Sequence, residues 1–140
     1  NWNDSWAGYP AARRRMLESI SASGASNPVI LGGDIHAFIA GDQRIDPRDP
    51  KSPIVTSEFV TTSITSGPPP KKVIEAYNRS DAVGVHYAER DYRGYLRLEV
   101  TPERLNAEMV GFSSVRESDA TATTLAKFVV EDGQRGIQRL

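Results

Sequence analysis

The sequence predicts a mixed α/β (α+β) fold, and three observations carry that expectation. Residues 10–22 space apolar positions as a helix does, and Val29-Ile30-Leu31 forms a short β-branched run closed by Gly32-Gly33. From Tyr95 onward, apolar and polar residues alternate. Helical, continuous apolar and alternating patterns in one chain of 140 residues describe packed layers of helix and sheet.

Each element follows from local chemistry. The opening stretch from Trp2 to Tyr9 mixes aromatics with turn formers at neither period and reads as an irregular loop. Pro10 suits a first helical turn. Met16, Leu17 and Ile20 share a face until Ser23-Gly24 ends the helix, while Arg13, Arg14 and Arg15 wrap around it. Asn27-Pro28 turns into Val29-Ile30-Leu31, which has the pattern of a buried central strand with a loop at its carboxyl end.

Residues 36–45 and 54–64 are two further candidate strands, joined by a proline-punctuated connection from Asp46 to Pro53. Gly67 and three prolines then break the chain, after which Val73, Ile74 and Tyr77 recur at helical spacing within residues 71–78. Leu96, Leu98 and Val100 face one side of a strand, and the turn at Thr101 to Arg104 leads to Leu105, Ala107 and Met109. Residues 94–112 therefore form an antiparallel hairpin with one buried face. After the polar connection 113–124, Ala126, Phe128 and Val130 supply another strand before Gly133.

Composition narrows the classes of function. Lys and Arg number 17 against 18 Asp and Glu, so no overall field draws the protein to nucleic acid or to anionic lipid, and any anion is recognised locally. No apolar run approaches the roughly 20 residues that span a bilayer. With Cys 0, disulfides and thiolate metal sites are excluded. Asn1 in place of Met, with no basic-then-apolar leader after it, implies a processed or partial chain.

The segment from Asn27 to His36 concentrates the chemistry. It sets a carboxylate, Asp34, two residues from an imidazole, His36, just past an apolar strand, where α/β sheets hold their ligands. In an extended chain the two side chains would point to one side, and Gly32-Gly33 lets a ligand approach closely. Oxygen and nitrogen donors at this spacing suit Zn, Mn or Fe, with the carboxylate also suited to Ca. On its own, Asp-x-His equally describes an Asp capping a turn and a His bonded to backbone.

Four segments, in order, resemble the C-terminal half of PhoD-like alkaline phosphatases: Trp6 to Arg13, Gly33 to His36, Glu58 to Ser66, and Arg93 to Thr101. The resemblance implies the calcineurin-like metallophosphoesterase architecture, two sheets sandwiched by helices with a multi-metal centre at the strand ends. The chain would then be a single domain unit, the C-terminal part of such a phosphatase, with the other metal-ligand motifs lying outside it. Asp34 and His36 fall on the family's Gly-Asp-x-His motif and would be the metal-binding, catalytic pair, with a transition metal, iron in this family, on His36 and calcium in the same cluster.

The implied reaction is hydrolysis of phosphate mono- or diesters by a metal-activated hydroxide. The implied substrates are small phosphoesters or lipid- or nucleotide-like molecules, and the implied location is periplasmic or secreted. Two ligands cannot hold such a cluster alone, so the chain by itself is expected to be inactive.

Around that pair, Trp6 and Tyr9 are candidate substrate-cleft aromatics, with a packing staple as the plainer reading. Ala7 departs from the Asp that the family carries at that loop. Arg13 is a candidate phosphate clamp, against a solvated helix face. His86 is a candidate cleft residue, against a structural histidine beside Tyr87. Residues 61–64 read as strand, and Thr65-Ser66-Gly67 as a loop near the site. A second reading makes the chain a non-catalytic scaffold or a homo-oligomerisation module, pairing through an exposed sheet edge.

Overall fold

The computed structural model describes residues 5–79 and 83–140. A single turn of 3-10 helix at Trp6–Gly8 leads into α1 (Pro10–Ala22), β1 (Val29–Gly32), β2 (Phe38–Arg44), β3 (Ile54–Val60), α2 (Lys71–Tyr77) and β4 (Val85–Glu89). Four strands complete the chain: β5 (Arg93–Val100), β6 (Arg104–Phe112), β7 (Ala122–Glu131) and β8 (Gln138–Arg139). The expected opening loop is thus partly helical from Trp6, and its first four residues lie outside those described.

The strands form two four-stranded sheets, ordered β1-β3-β2-β4 and β5-β6-β7-β8. In the first sheet β1 runs parallel to β3 while β2 runs antiparallel to β3 and to β4. The second is antiparallel throughout. Between them lies a core of Phe38, Ala40, Phe59, Ala107, Met109, Ala126, Phe128, Val130 and Ile137. The Phe128 ring sits 5.9 Å from that of Phe59 and 6.1 Å from that of Tyr87, tilted against both. Strand periodicity sends the alternate residues Ile39 and Val60 to the other face of the first sheet, where they pack with Ile74 of α2 and Ala88. Leu17 of α1 is fully buried as well.

Three local expectations are corrected. β1 is an edge strand, bonded on one side only among the described residues, and Leu31 is 58% exposed, so the apolar run is not a buried central strand here. β3 stops at Val60, and residues 61–64 leave the sheet: Thr61 still donates to the Gly32 carbonyl of β1, but the Ser63 carbonyl accepts from Gly94 in the second sheet. Val100, the last residue of its strand, is 71% exposed although alternation puts it on the side of Leu96 and Leu98. The hairpin over 94–112 forms as expected, extended by β7 and β8. β4 had no counterpart in the sequence reading.

Candidate metal-binding and catalytic site

The loop from Gly33 to Ala37 joins the carboxyl end of β1 to the start of β2 and carries both candidate ligands. It is not extended. Asp34 has φ 72° and His36 φ 60°, the two positive values among described non-glycine residues. The Ile35 N–H donates to the Gly33 carbonyl at 2.9 Å, closing a three-residue γ-turn around Asp34. Side-chain-bearing residues adopt such conformations at a cost on the order of 1–3 kcal/mol each, so other contacts must hold them there.

One of those contacts sets the chemistry of His36. Its Nδ1 lies 3.0 Å from the Gly67 carbonyl oxygen, and a carbonyl only accepts, so Nδ1 carries the proton. A neutral ring fixed in that tautomer presents the Nε2 lone pair, the arrangement found in metal-ligating histidines. Asp34, two residues earlier in the same loop, is exposed. Loop 61–67 therefore orients the imidazole although it supplies no ligand, and the Thr61 N–H donates to the Gly32 carbonyl at 3.1 Å to hold that loop against β1.

Arg93, at the start of β5, ties the same loops together. Its Nη1 donates to Ser63 Oγ at 2.8 Å, to the Ser66 carbonyl at 3.1 Å and to the His36 carbonyl at 3.2 Å, while Nη2 donates to the Arg90 carbonyl. Burial, with the charge of Arg90 adding to it, holds its pKa below the ordinary arginine value. A full charge-assisted bond contributes about 1.5–3 kcal/mol, and although Nη1 shares its two hydrogens among three acceptors, the set helps to hold His36 in its strained conformation.

The other candidates make contacts of their own. Trp6 and Tyr9, 50% and 60% exposed, flank the entrance to α1. Arg13 is half-buried against the sheet and spends its guanidinium on Gln43 Oε1 at 2.6 Å and on the charge of Glu58, while Gln43 in turn donates to Glu58. Burial pushes the Glu58 carboxyl above its ordinary value and Arg13 below its own, each opposed more weakly by the other's charge. Both partners shift toward neutrality, so desolvation outweighs their attraction.

His86, on β4, places Nε2 at 2.7 Å from Asp42 Oδ2, and Asp42 Oδ1 accepts the Ile137 N–H at 3.0 Å. Asp42 lies four residues beyond Phe38, about 13 Å along β2 from the His36 end. Asp42 thus latches the C-terminal segment to the first sheet, and His86 holds its other carboxylate oxygen. Asp42 was not singled out by sequence reasoning, and Glu58 and Arg93 entered only as the first residues of two segments that carry the family resemblance, without a role. A signal existed for Asp42, an acid interrupting the apolar run Phe38 to Gly41, and none for the long-range partners of Arg93.

The class is a two-sheet α+β scaffold that carries Asp34 and His36 in strained backbone at the carboxyl end of a parallel strand. Comparison with known proteins gives the family. A family model described as PhoD-like phosphatase matches residues 1–109. Alkaline phosphatase D of Bacillus subtilis (strain 168) is 36% identical over 143 residues, 98% of this chain and 24% of the relative. The solved structure of PhoD superposes with a TM-score of 0.83 at 33% identity, over 98% of this chain and 26% of that one. The chain belongs to the PhoD-like phosphatase family. It spans about a quarter of the length of the relatives it matches.

Proposed function

We propose that the protein containing this chain hydrolyses phosphate monoesters or diesters, and that Asp34 and His36 contribute two ligands to its metal centre. The observation that carries this reading is the His36 ring, tied through Nδ1 to the Gly67 carbonyl with Nε2 left to bind, with the exposed Asp34 two residues earlier in the same loop. Imidazole nitrogen suits a transition metal and carboxylate oxygen suits either that metal or calcium, so the donors fit the iron and calcium that family membership implies. When bound, the metals supply Lewis acidity to the phosphoryl oxygens and lower the pKa of water. The chain's own part is to hold one nitrogen and one carboxylate donor in fixed directions.

Among the described residues no group of three or more His, Asp or Glu side chains is placed to hold an ion. On family membership the remaining ligands are assigned to parts of the protein outside this chain, and the 140 residues alone, read as one domain unit, are expected to be inactive. An exported location and a substrate cleft lined by Trp6 and Tyr9 belong to the same proposal and rest on family membership. No described helix is long and apolar enough to cross a membrane. The open edge of β1 favours a second reading, in which the chain serves as a scaffold that pairs with another chain.

The test uses protein made from its complete coding sequence. Metal content is measured together with hydrolysis of a chromogenic phosphomonoester and a chromogenic diester, in the unaltered protein and in His36→Ala. Metal-dependent turnover that His36→Ala abolishes supports the reading and ranks the two ester classes. Metal-free, inactive protein would move the assignment to the scaffold.

A further inference from the structure

We propose that Arg93 is a positioning residue for the metal centre, setting the direction of the His36 imidazole from outside the ligand shell. This rests on the reading of His36 as a ligand. The His36 ring is aimed by the Gly67 carbonyl, which belongs to loop 61–67, while its backbone belongs to loop 33–37. The aim is therefore only as good as the fit between two loops that share no strand.

The Arg93 guanidinium is the joint between them. One nitrogen reaches the His36 carbonyl in the first loop and Ser63 Oγ and the Ser66 carbonyl in the second, and the other anchors to the Arg90 carbonyl. Ser63 Oγ donates its own proton to the Ser66 carbonyl at 2.8 Å, so it meets Arg93 as an acceptor. Ser66 directly precedes Gly67, the residue that orients the ring.

The anchor point is rigid. A Cβ at Gly94 would lie 1.9 Å from the Val110 carbonyl oxygen, so β5 begins flush against β6 and only glycine allows that approach. The Gly94 N–H donates to the Ser63 carbonyl at 3.4 Å and Thr62 Oγ1 to the Tyr92 carbonyl at 3.1 Å, which bind the start of β5 to loop 61–67. The second sheet thus transmits its position to a ligand of the first. A merely structural clamp would sit among core side chains. Here every acceptor is a carbonyl or hydroxyl of the loops flanking the ligand, or of the turn leading into β5. The planar guanidinium serves three acceptors from Nη1 and a fourth from Nη2, a spread over two nitrogens that the single nitrogen of a lysine does not reproduce.

The test titrates Zn2+ alone into metal-stripped protein made from the complete coding sequence, against a chromophoric competitor, with the melting temperature of each apoprotein recorded. The variants are Arg93→Ala, Arg93→Lys, Ser63→Ala, His36→Ala and, as a control on the outer face of β5, Arg97→Ala. Losing such an outer partner weakens metal binding by roughly 10- to 100-fold. That loss is expected for Arg93→Ala and Arg93→Lys in apoproteins that still melt cooperatively, though at a lower temperature, with a smaller loss for Ser63→Ala and none for Arg97→Ala. Wild-type affinity in Arg93→Ala overturns the proposal, and if that variant does not fold, wild-type affinity in both Arg93→Lys and Ser63→Ala does so. Unchanged affinity in His36→Ala overturns the ligand assignment itself, whereas loss there with none at Arg93 removes only the positioning role.

Discussion

In the second sheet each strand pairs with its neighbour in sequence, β5 with β6, β6 with β7 and β7 with β8, and its inner face fills the core. In the first sheet the order β1-β3-β2-β4 crosses over itself, and its end at residues 33–37 and 61–67 is built from strained backbone and hydrogen bonds to distant residues. The comparison separates two ways of spending stabilisation. Regular pairing with apolar burial makes the second sheet a frame, and part of what the frame supplies is used, through Arg93, to hold a costly conformation at His36.

If the frame carries the stability, its centre is where the largest loss should appear. Phe128 is fully buried against Phe59 and Tyr87. Phe128→Ala should cost about 3–5 kcal/mol in unfolding free energy. A cost under about 1 kcal/mol by denaturant titration would show that the two sheets are not held by this core.

The strained loop should respond in the opposite sense. Asp34→Gly relieves a positive φ and is expected to leave stability unchanged or raise it by about 1 kcal/mol, while weakening metal binding. A clear loss of thermal stability together with retained metal affinity would mean that the Asp34 carboxylate serves the fold rather than the site.

The smallest effect concerns the acid on the helix-facing side of the first sheet. Glu58 has its folded pKa raised, chiefly by burial, so the native state keeps the proton at pH values where the unfolded chain has released it. Stability from this group is present below the ordinary glutamate value near pH 4.5, falls as pH rises toward the raised value, and is a net penalty at neutrality. Glu58→Gln, which can still accept from Gln43, should raise the melting temperature at about pH 7 and leave it unchanged near about pH 4. An equal shift at both values would remove the titration as its cause.

Local pattern alone specified α1, α2, the hairpin of β5 and β6, and the strand carrying Phe128, because helical spacing and alternation are properties of neighbouring residues. It also marked Asp34 and His36, since the Gly-Asp-x-His segment follows an apolar run at the place where sheets hold ligands. The tertiary structure decided what neighbours cannot encode. β1 is an edge because β3 is its one partner among the described strands, and His36 takes positive φ with its ring held by the Gly67 carbonyl and its own carbonyl by Arg93, 31 and 57 residues further along. His86 went to Asp42 and Arg13 to Gln43 for the same reason: long polar side chains choose partners across the fold, and sequence separation carries no record of that choice.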